Sequence, residues 1–367
     1  MTEHQTTDRV RGALVGLAIG DAAGWPAGWH RSHRLVEWTR RARNNLDRFA
    51  EDHRLTTLPV PFALNQPVVP LRLGPGDDAE WAAFTALALL VHGRRDPDAD
   101  RAAITSAWLD LAARTGEESI WARISVRTAL DNLNRGLRPP ASGHDNPHHF
   151  DDAAAVRAVA IGARYAGDPA AATAVAATDA AVTQSGDGVH AARAVAAAIA
   201  VACDPAGDLP AVTAAALAEL PAVSAVGREV RAALALAAEA RGAFALAPAL
   251  SDEVTDPVYS YGVAASDTLA VAFAMAVAAD GRLTEAVPAA ACLARTADSA
   301  PALAGALCGA LNGFTALPAA WTAVGRRLEG CCLPDTAGVD LVDLADRLSA
   351  APSATASPVV ASAAQRG

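Results

Sequence analysis

Two adjacent aspartates, Asp77 and Asp78, follow the turn Gly74-Pro75-Gly76 and stand at the head of an apolar pattern with helical spacing. A single aspartate before a helix is an ordinary cap, its carboxylate accepting free amide N–H groups of the first turn. One cap does not need two charges, and the helix DDAEWAAFTALAL supplies no basic partner. Paired carboxylates suit two kinds of chemistry. They are hard oxygen ligands for a Mg²⁺-type ion, and they are a general acid and base. Two further stations place acids at breaks in the chain: Gly20-Asp21, closing an opening apolar helix, and Asp298-Ser299, just before Pro301.

Those acids need helix ends to hold them. After Pro301 come Gly305, Gly309 and Gly313, one glycine every four residues along one helix face. Each costs roughly 1 kcal/mol relative to alanine in a helix. The pattern makes sense if that face presses on another backbone, which sets Asp298 and Ser299 deep in a bundle. Apolar spacing predicts helices over 9–24, 77–92, 98–114 and 117–135, a turn-rich loop over 136–152, then helices up to VDLVDLADRLSA. Residues 25–76 read as a long excursion with one short amphipathic helix. The expectation is a single all-α domain over residues 9–350, an orthogonal multi-helix bundle, with residues 1–8 and 351–367 disordered.

Composition narrows the function. The chain is 52% hydrophobic but only 5% aromatic, so its apolar mass is alanine, leucine and valine, which favours closely packed helices. A net charge of −10 argues against nucleic-acid binding and leaves a small-molecule substrate as the expected partner. The alanine runs near 191–203 and 264–279 read as buried core helices, so no membrane partner is expected. Five cysteines without a CxxC pair, and a polar start unlike a signal peptide, point to a reducing cytoplasm. His144, His148 and His149 read as a solvated loop. Trp25, Trp29 and Trp81 adjoin the acidic stations in a chain poor in aromatics and are expected to line a remodelled, more apolar substrate pocket. A carboxyl group in such a pocket has a raised pKa and can serve as a general acid without metal.

Taken together, the stations resemble the ADP-ribosylglycohydrolase family, which includes the dinitrogenase reductase-activating glycohydrolases. GALVGLAIGDAAG, residues 12–24, matches the family's opening helix GALxGxAxGDAxG. Gly76-Asp77-Asp78-Ala79 stands where the family has Thr-Asp-Asp-Thr. Ala294-Arg295-Thr296-Ala297-Asp298-Ser299, followed by LAGALCGA, stands where it has Gly-Gly-Asp-x-Asp-Thr/Ser and AGALxGA. The resemblance covers most of residues 9–348. It implies an all-α fold, commonly monomeric, and cleavage of the glycosidic bond between ADP-ribose and an acceptor through two Mg²⁺ or Mn²⁺ ions.

On that pattern Asp77, Asp78, Thr296, Asp298 and Ser299 are the metal positions, Asp77 and Asp78 are also the catalytic carboxylates, and Asp21 borders the substrate. The family's phosphate-seating Gly-Asn-Gly loop maps to Asp151-Asp152-Ala153, and a histidine position maps to Gln184, which places Asp151, Asp152 and Gln184 at the substrate. Gly76 replaces a ligand threonine, Thr296 a ligand aspartate, and Gly28 a loop glutamate. Fewer anionic ligands mean weaker divalent binding, so one weak Mg²⁺ ion or none is expected rather than two. Three functions follow: a divergent glycohydrolase acting on an ADP-ribosyl or related ribosyl compound; a repurposed enzyme of specialised metabolism using a metal-independent aspartic acid; or a non-catalytic binding homologue. The oligomeric state is left open.

Overall fold

The computed structural model describes residues 2–24, 74–116, 120–255, 263–293 and 295–350. Within them the chain is all-α: sixteen α-helices, two short 3₁₀ turns, and two isolated β-bridges. The helices are α1 (Thr2–Ala23), α2 (Asp77–Leu89), α3 (Pro97–Arg114), α4 (Ile124–Asn134), α5 (Ala141–His144), α6 (Ala153–Arg164), α7 (Pro169–Thr183) and α8 (Asp187–Ala202). They continue with α9 (Leu209–Glu219), α10 (Ala225–Glu239), α11 (Ala243–Glu253), α12 (Ala265–Ala278), α13 (Leu283–Ala291), α14 (Ala300–Asn312), α15 (Ala319–Gly325) and α16 (Leu341–Ala350). No helix among the described residues is long and apolar enough to cross a membrane.

Helices α1, α6, α8, α12 and α14 form the core, and every residue of α6 is buried. The glycine stripe of α14 finds its expected backbone, and that backbone is α1. A β-carbon on Gly309 would lie 2.1 Å from the Gly12 carbonyl oxygen, and one on Gly305 would lie 2.1 Å from that of Gly16. Gly20 sits against Pro301 in the same way, 1.9 Å from its carbonyl oxygen. The pairing runs in opposite directions along the two helices, so they are antiparallel. The C-terminal end of α1, with Asp21, therefore meets the N-terminal end of α14, with Asp298 and Ser299.

Two expectations need correction. Residues 2–8, expected to be disordered, form the first turns of α1. Asp8 anchors them, accepting from the Thr315 amide and hydroxyl at 3.2 and 3.0 Å, and the next residue, Arg9, donates to the Ala202 and Gly207 carbonyls at 2.9 and 3.1 Å. Helix α4 starts at Ile124 rather than near residue 117. Arg123 is thus its N-cap, with extended backbone (φ −61°, ψ 163°), and its side chain turns inward. The excursion over 25–73 and the tail over 351–367 lie outside the described residues.

Candidate active site

Ordinary caps are plentiful in this fold. Asp96, Asp168, Asp208 and Ser224 each accept the first-turn amides of the helix they precede. Helix α2 is capped differently. Its N-cap residue is Gly76, which has no side chain to offer, and neither Asp77 nor Asp78 bonds to its own helix. The cap comes from α1: Oδ2 of Asp21 accepts from the Gly76 amide at 2.7 Å and the Ala79 amide at 3.0 Å. Asp21, expected at the substrate, commits that oxygen to structure and releases the doublet from capping.

Both released carboxylates face a cation that sequence reading missed. The Arg123 guanidinium, in a residue only 8% exposed, reaches the doublet, Asp152 and the Asp298-Ser299 station. Nη2 donates to Asp78 Oδ1 at 2.7 Å and to Ser299 Oγ at 2.6 Å, and lies 3.1 Å from Asp298 Oδ2. Nη1 is paired with Asp152 Oδ1, and Nε is 3.6 Å from Asp77 Oδ2. The side chain is delivered by a clamp. Glu80, on α2, accepts the amides of Cys331, Cys332 and Leu333 at 2.7, 2.7 and 2.9 Å, and the Cys332 carbonyl accepts the Trp121 amide at 3.1 Å. The chain entering α4 is held against the closing segment two residues before Arg123.

Several expected site residues support this centre from behind. Asp152 is at the centre, its Oδ2 accepting from Thr268 Oγ1 at 2.7 Å. Asp151 is turned aside: its Oδ1 accepts from the Ala153 amide at 3.1 Å and from Gln184 Nε2 at 2.7 Å, and its backbone bridges Ala264. Gln184, expected at the substrate, is buried and accepts from Thr183 Oγ1. Thr296, expected as a ligand, is buried, and its hydroxyl donates back to the Leu293 carbonyl at 3.4 Å. Trp81 is core rather than pocket lining. Its ring stacks on Trp108 at 5.7 Å and 9°, with Phe84 edge-on. Trp25 and Trp29 lie outside the described residues.

The assembled helix ends can be compared with known proteins. The sequence profile of the ADP-ribosylglycohydrolase family matches residues 2–357. The chain belongs to that family. A solved structure described as an ADP-ribosylglycohydrolase-related protein complex shares the fold, with a TM-score of 0.55 and 21% identity over 94% of this chain and 98% of that one. None of the curated proteins compared matches the chain.

Within this family fold the centre is electrostatically lopsided. Burial raises the pKa of Asp78 well above the ordinary carboxylate value; Arg123 opposes this, while Asp77, Asp21 and Asp298 add to it. Asp21 is raised well above its ordinary value by burial, then by Asp77, against its two amide bonds. Asp152 is pushed up to about 6 by burial, with Arg123 opposing. For Arg123 burial favours losing the proton, but Asp152, Asp78, Asp298 and Asp77 outweigh it and hold the guanidinium charged.

The family's divalent ions do not fit the residues as arranged. Mg²⁺ demands near-octahedral oxygen ligands at about 2.0–2.1 Å. Here one oxygen each of Asp78, Asp152 and Asp298, and the Ser299 hydroxyl, meet N–H groups of Arg123, Gly76 has no ligand atom in its side chain, and the Thr296 hydroxyl is given to the Leu293 carbonyl.

Proposed function

We propose that this chain is a glycosidic-bond enzyme that acts on an ADP-ribosyl or related ribosyl compound, with Asp77 and Asp78 as its working carboxylates. One observation carries the reading. Both aspartates are buried at a helix head yet excused from capping it, and Asp77 Oδ1 and Asp78 Oδ2 have no hydrogen-bond partner. Unpartnered buried carboxylate oxygens cost stability, so they are kept where chemistry needs them.

The geometry supports a division of labour. Asp78, which burial favours in its protonated form, gives its proton to the leaving atom as the glycosidic bond breaks. Asp77 faces the oxocarbenium-like charge on the ribose and takes the proton of the attacking water, which becomes the new hydroxyl on the anomeric carbon. Arg123 keeps Asp78 turned and Ser299 in place. The test is release of free sugar from ADP-ribosylated peptides and from simple ribosides, followed by chromatography. Asp77→Asn and Asp78→Asn are each expected to lower kcat by about 10²–10⁴-fold with little change in KM. Wild-type turnover in either variant overturns the assignment.

A second reading has its own support: a repurposed enzyme whose ribosyl substrate lacks a diphosphate. Asp152 stands where the resemblance puts a phosphate-seating loop and is already paired with Arg123 and Thr268. Beside the Asp151–Ala264 bridge, a cavity of about 390 Å³ is lined by Phe150, Ala264 and three acids, Asp187, Glu229 and Asp267. Such walls repel a diphosphate. Faster turnover of neutral or cationic ribosides than of ADP-ribosyl compounds would select this reading, and the reverse order would reject it.

A further inference from the structure

We propose that Arg123 is a built-in replacement for the family's divalent cations, a positioning residue that holds the carboxylate centre together and keeps metal out. The inference rests on the reading of this centre as the reaction site only for its catalytic consequence; cation binding is measured without turnover.

Three independent features carry it. The first is reach. One guanidinium touches or approaches Asp77 and Asp78 from α2, Asp152 from the head of α6, and Asp298 and Ser299 from the head of α14. Its nitrogens are all engaged with this set, and the planar five-donor fork matches carboxylates arranged around it in a way that a lysine ammonium would not. The second is delivery. Arg123 is the extended N-cap of α4, fixed from behind by the bond from the Trp121 amide to Cys332 and by the Glu80 clamp on residues 331–333, so the charge is built into the scaffold. The third is the ligand set. The two metal positions that the sequence has lost, at Gly76 and Thr296, are those that a guanidinium does not need, while the carboxylates and hydroxyl that it does use are kept.

A bound ion and Arg123 therefore compete for one place, and deleting the guanidinium should turn an arginine site into a cation site. The full-length protein is titrated with Mn²⁺ alone. Electron paramagnetic resonance reads the loss of free ion, and thermal unfolding is followed with and without Mn²⁺ or EDTA. Wild type is expected to leave the free-ion signal intact and to show an unchanged Tm in all conditions. Arg123→Ala is expected to have a lower Tm that Mn²⁺ partly restores, with Mn²⁺ binding at least ~10-fold tighter than wild type. Adding Asp298→Asn to that variant should abolish the restoration, and Arg123→Lys should create no Mn²⁺ site while recovering Tm only in part, because one ammonium cannot engage all these carboxylates at once.

Stoichiometric Mn²⁺ binding by wild type overturns the proposal. So does a folded Arg123→Ala variant that binds no better than wild type. If Arg123→Ala does not fold, Arg123→Met keeps the apolar stem and answers the same question, and the wild-type titration is decisive alone. Failure to find a ribosyl substrate would leave these outcomes untouched, whereas metal-dependent turnover on such a substrate would overturn this proposal and leave the proposed function standing.

Discussion

Among the described residues three arginines are buried, and they keep different company. Arg157 donates to Asp179 Oδ2 and Thr183 Oγ1, both at 2.8 Å, with its guanidinium 4.9 Å from the Trp108 ring centre, and Trp108 Nε1 donates to the other oxygen of Asp179 at 2.9 Å. Arg164 faces Asp100 at 3.2 and 3.4 Å, and Tyr165 donates to that carboxylate at 2.6 Å. Each is one cation with one anion, whose carboxylate is completed by a neutral donor from Trp108 or Tyr165. Arg123 instead faces four aspartates at once. A balanced buried pair is a structural brace; an excess of acid around one base is what the proposed chemistry would draw on.

The contrast is breakable. Removing the base from a balanced pair leaves a naked buried carboxylate, so Arg157→Met and Arg164→Met should each lower unfolding free energy by about 3–5 kcal/mol, measured by denaturant melts. Asp78→Asn should do the reverse of a brace mutation: the proposed activity falls by the factor given above, while unfolding free energy stays within about 1 kcal/mol of wild type because a surplus charge is removed. A loss near that of Arg157→Met would make Asp78 a brace and erase the distinction. Thr268→Val sharpens it further, costing about 1–3 kcal/mol by removing the hydroxyl that donates to Asp152 Oδ2. At the small end, the exposed Arg101–Asp98 pair should matter little, with Asp98→Ala changing stability by under ~1 kcal/mol.

What could be read from the chain beforehand follows the same division between local and distant causes. Gly305 and Gly309 announced a backbone contact because nothing larger fits, and repeated glycine in a helix has few other reasons. Asp77 and Asp78 announced surplus charge because both sit on one short stretch. Arg123 left no such mark: it was read inside a helix that starts one residue later, and its partners come from three distant segments. The lack of any basic partner for the doublet within its helix was the available clue. Trp81 was misread for a similar reason, since its partner Trp108 lies on α3 and adjacency to aspartates in sequence says nothing of where the ring points. Asp21 looked like a substrate-site residue because a cap that serves another helix has no local signature.

That borrowed cap has a consequence for assembly. Helix α2 cannot satisfy its first amides until α1 has arrived, and α1 is seated by a helix near the other end of the chain. A half-made chain, still lacking α14, would hold the doublet on a frayed turn with neither Asp298 nor Ser299 opposite. The carboxylate cluster thus comes into being only once contacts between the two ends of the chain have closed, and the nascent polypeptide carries its acids apart until then.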